Sequence, residues 1–243
     1  MTTVVTVRHR HGAYPVYLGT GLVEDLPELT ARHLPGRRLA VITDRHVARA
    51  VQTTLEVPTL VIAPGEPSKT RRKWAELSDK LLDLGFDRDS AVVALGGGVV
   101  GDLAGFVAAT LLRGIPWLQV PTTLLAMVDA SVGGKTGVDT SHGKNLVGAF
   151  HPPVAVVADP RVLRTLSEPV FRAGLAEAVK HGLIADAAYL AWIEREAEAL
   201  GRRDEILLTR LVHRSVELKG QVVSEDEFET GRRAILNAGH TVA

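Results

Sequence analysis

Cysteine is absent from the 243-residue chain, and so are a charge surplus and any long apolar run. Without cysteine there are no disulfides and no thiolate metal ligands, which fits a reducing cytoplasm. The 28 basic residues balance 28 acidic ones, so nothing global attracts nucleic acid or an acidic membrane surface. No stretch of about 18 uncharged apolar residues occurs, so no membrane span is expected. Residues 1–7 alternate like a strand and run into Arg8, His9 and Arg10, without the apolar core and cleavage site of a signal peptide. No internal repeat or low-complexity tract is visible.

What is present is a strand–helix alternation. Short β-rich runs fall at 3–7, 14–18, 39–43, 59–63, 91–95, 117–120 and 154–158. Several are nearly continuous apolar runs, the pattern of strands covered on both faces. Helical patterns lie between them at 44–54, 69–84 and 99–112. Together they predict a parallel α/β sheet of the nucleotide-binding kind. After about Asp159 the β signal stops. Ser167-Glu168-Pro169 opens a helix over 170–184, with a capping hydroxyl, an acid and a first-turn proline. Helices follow over 188–200 and 204–223, the latter with Leu207, Leu211, Leu218 and Val222 on one stripe. The change to all-α near 155–160 sets the expected domain boundary.

Two glycine-rich segments carry chemistry. Leu95-Gly96-Gly97-Gly98-Val99-Val100-Gly101-Asp102 follows a strand and opens a helix. Glycine there lets a ligand approach the backbone, and free N–H groups at the helix start attract phosphate oxygens. The spacing is not GxGxxG, and a tight turn with no ligand describes it equally well. The second segment begins at Pro121-Thr122-Thr123 and continues through Gly133-Gly134-Lys135-Thr136 to Gly143-Lys144-Asn145. Two glycine-flanked lysines and several hydroxyls in loop-like sequence suit phosphate. A P-loop is a weak reading, because Asp129 stands where its first glycine is required.

Further on, Glu177, Lys180 and His181 share one helix face at spacings of three and four. Glu177 and His181 could ligate a metal at i, i+4. An exposed Glu–Lys/His pair fits the same spacing. His240, near the C-terminus, repeats at helical spacing with Arg233 and Asn237.

Five ordered runs now combine: LGGGVVGDLAGF at 95–106, PTTLLAMVDASVGGKTGVD at 121–139, GKNLVG at 143–148, GLAEAVKHGL at 174–183 and RAILNAGHT at 233–241. In this order and spread the chain resembles the 3-dehydroquinate synthase family of sugar-phosphate cyclases. The resemblance implies an α/β Rossmann-like NAD-binding domain over 1–158. An all-α metal-binding domain over 159–243 follows, incomplete in this chain because the family motif continues with further histidines after His240. Asp44, Glu66, Lys69, Gly97, Gly98, Asp102, Thr122, Thr123, Lys144 and Thr165 match positions that contact NAD. Asp129, Lys135, Asn145, Lys180, Lys219, Arg233 and Asn237 match positions that hold the substrate and its phosphate. Arg113 matches a phosphate-binding arginine donated across a homodimer interface. Glu177 and His240 match ligands of a divalent metal, zinc or cobalt; His181 is not assigned.

The implied reaction converts 3-deoxy-D-arabino-heptulosonate 7-phosphate to 3-dehydroquinate and phosphate, in the shikimate pathway of aromatic amino-acid biosynthesis. NAD is recycled within each turnover, the metal acts as Lewis acid, and the departing phosphate serves as its own base. The implied setting is cytoplasmic, with a small sugar phosphate as partner and neither nucleic acid nor membrane. Two alternatives stand beside it: a catalytically impaired NAD-binding fragment, and a sister cyclase acting on sedoheptulose 7-phosphate or an amino analogue.

Overall fold

The computed structural model describes residues 2–229 and 231–239. Strands form where valine, leucine, isoleucine and alanine are concentrated, since a strand covered on both faces needs apolar side chains on both. β1 (Thr3–His9) and β2 (Gly12–Leu18) form an antiparallel hairpin. β2 pairs in parallel with β9 (Ala155–Ala158), and β9 with β6 (Trp117–Pro121). β5 (Ser90–Gly96), β3 (Arg38–Asp44) and β4 (Thr59–Ile62) complete the parallel set. Among the described residues the strand order is β1-β2-β9-β6-β5-β3-β4. All seven strands expected from the sequence are in this one sheet.

The helices of this half are α1 (Leu26–His33), α2 (Arg45–Ala50), α3 (Arg71–Asp83) and α4 (Gly98–Thr110). α1 carried no recognised signal. α2 stops well short of the expected residue 54. Val51 takes extended backbone, and the Thr53 and Thr54 hydroxyls bond to main chain instead of extending the helix. α4 is buried almost along its whole length. A Cβ on Gly105 would meet the Trp117 ring at 2.9 Å, so glycine is what lets α4 lie on β6. Leu103 is fully buried there, and trimming it to alanine costs about 2–5 kcal/mol.

One expectation is corrected here. The glycine–lysine segment is not loop but a hairpin of β7 (Lys135–Thr140) and β8 (Gly143–Phe150). Gly137 faces Gly148, and a Cβ on Gly137 would lie 2.8 Å from the Val147 carbonyl oxygen. Bare backbones let the strands close up, so the glycines that read as loop are the reason the hairpin forms. Just before it, residues Ala126–Ala130 make a π-turn, in which the Ser131 amide donates to the Ala126 carbonyl at 3.0 Å.

Beyond β9 no further strand occurs among the described residues. A 3-10 turn (Pro160–Thr165) leads into α5 (Glu168–Ala185), α6 (Ala187–Arg195), α7 (Ala197–Gly201), α8 (Glu205–Glu225) and a last 3-10 turn (Arg232–Asn237). Ser167 does take the N-cap backbone of α5, but its hydroxyl makes no capping hydrogen bond. The single helix expected over 188–200 is two, divided at Glu196, whose ψ of 8° leaves the helical range. A single apolar cluster runs from Val7, Val16 and Leu118 in the sheet to Phe171, Trp192 and Leu211 in the helices. That shared core packs α8 on β1 and sets α5 and α8 together against the Ala126–Ala130 turn.

Candidate active site

In an open parallel sheet, ligands bind beyond the carboxyl ends of the strands, where successive connections depart in opposite directions. Here the chain leaves β3 toward β4 on one side and leaves β5 toward β6 on the other. The expected cofactor residues cluster at this edge. Asp44 ends β3, Glu66 follows β4, Gly97 and Gly98 follow β5, Thr122 and Thr123 follow β6, and Thr165 follows β9.

The glycine turn fits a nucleotide phosphate. Gly97 takes the N-cap position of α4, and no side chain caps that first turn. Beside it the Thr122 hydroxyl is buried without a hydrogen-bond partner. A Cβ on Gly97 would press on the Thr123 methyl at 2.9 Å. Other expected contacts are already engaged. The Asp44 carboxylate caps α2 through the His46 and Val47 amides at 2.7 and 3.0 Å. Lys69 pairs with Asp102 at 2.5 Å, and exposed Lys144 with Glu66 at 3.6 Å. Thr165 is exposed, and its hydroxyl donates to the Val162 carbonyl at 2.7 Å.

Next to this edge opens a cleft of about 520 Å³. Asp102, Asp129, Lys135, Asn145, Lys219, Arg233 and Asn237, scattered over more than 130 positions, all line it. Each arrives for a local reason. The π-turn presents Asp129, the hairpin presents Lys135 and Asn145, α8 presents Lys219, and the last 3-10 turn presents Arg233 and Asn237. Lys219 reaches Asp129 Oδ1 at 2.6 Å and also donates to the Asp129 carbonyl. Burial would raise the Asp129 carboxyl, but the Lys219 ammonium wins and holds it below its usual range. Burial, aided by Arg233 and Lys219, brings the Lys135 amine down to about 8. Asp102 goes the other way, because its burial outweighs the neighbouring Lys69 ammonium.

Glu177 and His181 are buried on α5, which removes the exposed-pair reading. Carboxylate oxygens of Asp129 and Glu177 and a ring nitrogen of His181 lie within 4.8 Å of one another. Neither His181 ring nitrogen has a hydrogen-bond partner, and Glu177 Oε1 has none of good geometry. Glu177 is ion-paired with Lys180, whose ammonium also donates to the Leu236 carbonyl at 2.5 Å. Carboxylate oxygen and neutral imidazole are donors that zinc and cobalt accept, so this corner fits a divalent cation. His240 lies outside the described residues.

The sequence reading missed Glu229. Its carboxylate borders the cleft, pairs with Lys135 and accepts from Asn237 Nδ2 at 2.7 Å. It sits in an irregular stretch with φ +57°, which no periodicity signals. Arg113 is not in the cleft. It is exposed on a 3-10 turn (Leu111–Arg113), where Leu112 and Arg113 both have positive φ, 53° and 70°.

Comparison with known proteins agrees with this geometry. Residues 59–173 match the 3-dehydroquinate synthase N-terminal family, and residues 174–243 match the C-terminal one. The chain belongs to the 3-dehydroquinate synthase family. A 3-dehydroquinate synthase of Caulobacter vibrioides is 50% identical over 251 residues, covering 99% of this chain and 68% of its own length. One from Symbiobacterium thermophilum is 50% identical over 239 residues, 94% of this chain and 67% of its own. This chain therefore spans about two thirds of the length of these relatives.

Among solved structures, a 2-deoxy-scyllo-inosose synthase complexed with carbaglucose-6-phosphate, NAD+ and Co2+ superposes with a TM-score of 0.89 at 29% identity. That match covers 99% of this chain and 67% of the other. A 2-epi-5-epi-valiolone synthase from Streptomyces hygroscopicus, with NAD+ and Zn2+ bound, gives 0.84 at 30% identity, over 96% and 67%. An iron-containing alcohol dehydrogenase from Thermotoga maritima shares the fold alone, at 19% identity.

Proposed function

We propose that the chain converts 3-deoxy-D-arabino-heptulosonate 7-phosphate to 3-dehydroquinate and phosphate, with NAD and a divalent metal, zinc or cobalt. The observation that carries this is the meeting of Lys135, Lys219, Arg233 and two asparagines in one cleft beside an uncapped glycine turn and Glu177. Sequence identity favours this substrate over those of the sister cyclases: 50% to 3-dehydroquinate synthases, against 29% and 30% to the two cyclases of known structure.

NAD would lie on the glycine turn, with Gly97, Gly98, Thr122, Thr123, Asp44, Glu66, Lys69, Asp102, Lys144 and Thr165 as its contacts. The metal would take Glu177, with His240 as the second ligand suggested by the family motif and His181 close at hand. When bound, NAD supplies a hydride acceptor that is regenerated, and the metal a Lewis acid. The protein's own part is electrostatic. Lys135 and Arg233 neutralise the phosphate, and Asn145 and Asn237 orient the sugar hydroxyls. The three cleft carboxylates and Glu177 in the adjoining corner are each tied to a lysine: Asp102 to Lys69, Asp129 to Lys219, Glu229 to Lys135 and Glu177 to Lys180. None stands ready as a general base, which supports proton removal by the leaving phosphate itself. Lys135, with its amine near 8, can hand that phosphate a proton close to neutral pH.

Three further readings belong to the same proposal. Strained, exposed Arg113 supports a role across a homodimer interface, where positive φ is maintained for function. The division at 158/159 follows the change from α/β to helix. A cytoplasmic setting follows from the pathway; no described helix is long and apolar enough to cross a membrane.

The test supplies NAD, zinc or cobalt and the heptulosonate phosphate to the purified chain and measures phosphate release. Release that Glu177→Ala abolishes supports the proposal. Release from sedoheptulose 7-phosphate alone moves the chain to the sister branch. NAD binding with no release under either metal leaves an NAD-binding fragment.

A further inference from the structure

The Gly133–Gly134 turn that delivers Lys135 is held by a residue of the β1–β2 hairpin. Tyr14 on β2 is 2% exposed, and its hydroxyl accepts a hydrogen bond from the Gly133 amide at 3.0 Å, across 119 residues of sequence. The turn is enclosed elsewhere too. A Cβ on Gly133 would meet the Arg233 guanidinium carbon and a Val223 methyl, each at 3.1 Å. A Cβ on Gly134 would meet the Pro152 backbone nitrogen at 2.8 Å. Both glycines have positive φ, +107° and +65°. Burial pushes the Tyr14 phenol up to about 12, so it stays neutral near neutral pH.

We infer that Tyr14 is a positioning residue for anion binding: its hydroxyl fixes the Gly133 amide so that Lys135 and Arg233 face the cleft together. A phenylalanine would fill the same apolar space yet leave a buried N–H without an acceptor. That amide regains a partner only by rotating outward, which redirects Lys135 two residues on and opens the space that confines Arg233. The glycine turn for NAD lies after β5, on a different connection, and is untouched. This inference rests on the reading of Lys135 and Arg233 as phosphate ligands.

The experiment is calorimetric binding of 3-deoxy-D-arabino-heptulosonate 7-phosphate to the full chain, with NAD withheld so that nothing turns over. Tyr14→Phe should bind it about tenfold more weakly, while its NAD affinity is unchanged. Val16→Ala, in the same strand and core, should lower the melting temperature and leave phosphate affinity alone. Wild-type affinity in Tyr14→Phe, or equal weakening in Val16→Ala, overturns the inference. Lys135→Ala separates the two levels: if it binds unchanged, the phosphate reading falls and this inference with it. If Lys135→Ala is weakened and Tyr14→Phe is not, this inference alone falls. Should Tyr14→Phe not fold, amide exchange in the wild-type chain decides. A protected Gly133 amide supports the bond, and a freely exchanging one overturns it.

Discussion

Replacing Lys69 with methionine isolates the energetics of an enclosed ion pair at the border of the cleft. The Lys69 side chain is 4% exposed, and its ammonium lies 2.5 Å from Asp102 Oδ2. Methionine keeps the apolar stem and removes the charge, which leaves Asp102 buried and uncompensated. Breaking a buried pair in this way costs about 3–5 kcal/mol. Asp102 borders the cleft and keeps some contact with water, so about 3 kcal/mol is expected, a large share of a domain's stability. The loss depends on pH in a definite direction. Burial already holds the Asp102 carboxyl above its ordinary 3.8, so the folded chain binds this proton more tightly than the unfolded chain. The stability linked to it therefore falls as pH rises from that ordinary value through the raised folded one. Without Lys69 the folded value climbs further and the window widens upward. Urea unfolding of wild type and Lys69→Met at mildly acidic and mildly alkaline pH should show a penalty that shrinks in acid. Adding Asp102→Asn should restore more than half of it. An equal penalty at both pH values, or a double variant worse than the single, would refute this account.

Other expectations are as direct. Amine acylation followed by peptide mass spectrometry should show Lys135 half-reactive near pH 8, with Arg233→Gln moving the midpoint upward; an ordinary lysine midpoint would contradict the burial argument. Equilibrium dialysis with cobalt should show binding lost in Glu177→Gln and weakened about 10–100-fold in His181→Gln. Unchanged cobalt affinity in both would remove this corner as the metal site. Gly133→Ala, at φ +107° and against Arg233, should destabilise by about 1–3 kcal/mol and melt several degrees lower. An unchanged melting temperature would show that the turn can relax.

The parallel strands were legible because each is a run of apolar residues bounded by turn formers, the signal left by burial on both faces. The β7–β8 hairpin was not, since Gly137 and Gly148 give no alternation and β8 is exposed along most of its length. Its pairing is imposed by close backbone approach and by packing on α4, neither of which leaves a periodic trace. The cleft residues were found through family motifs that lie far apart in the sequence and that the fold brings together. Glu229 escaped because the matched run begins at Arg233, and a lone glutamate in irregular backbone looks like any solvated acid. Burial removed the surface-pair reading of Glu177 and His181, which spacing alone favours.

The π-turn at Ala126–Ala130 holds one residue more than a regular helical turn would. Loss of a single codon between Leu124 and Ala130 would let this stretch close as ordinary α-helix with little effect on the sheet behind it. Within that turn the side chains beyond the deletion would then swing by about 100° around the axis, and Asp129 would leave Lys219 behind. A one-codon deletion here would thus uncouple folding from chemistry. A deletion scan along 124–130, scored for soluble yield against cobalt and sugar-phosphate binding, would locate the residue on which that register depends.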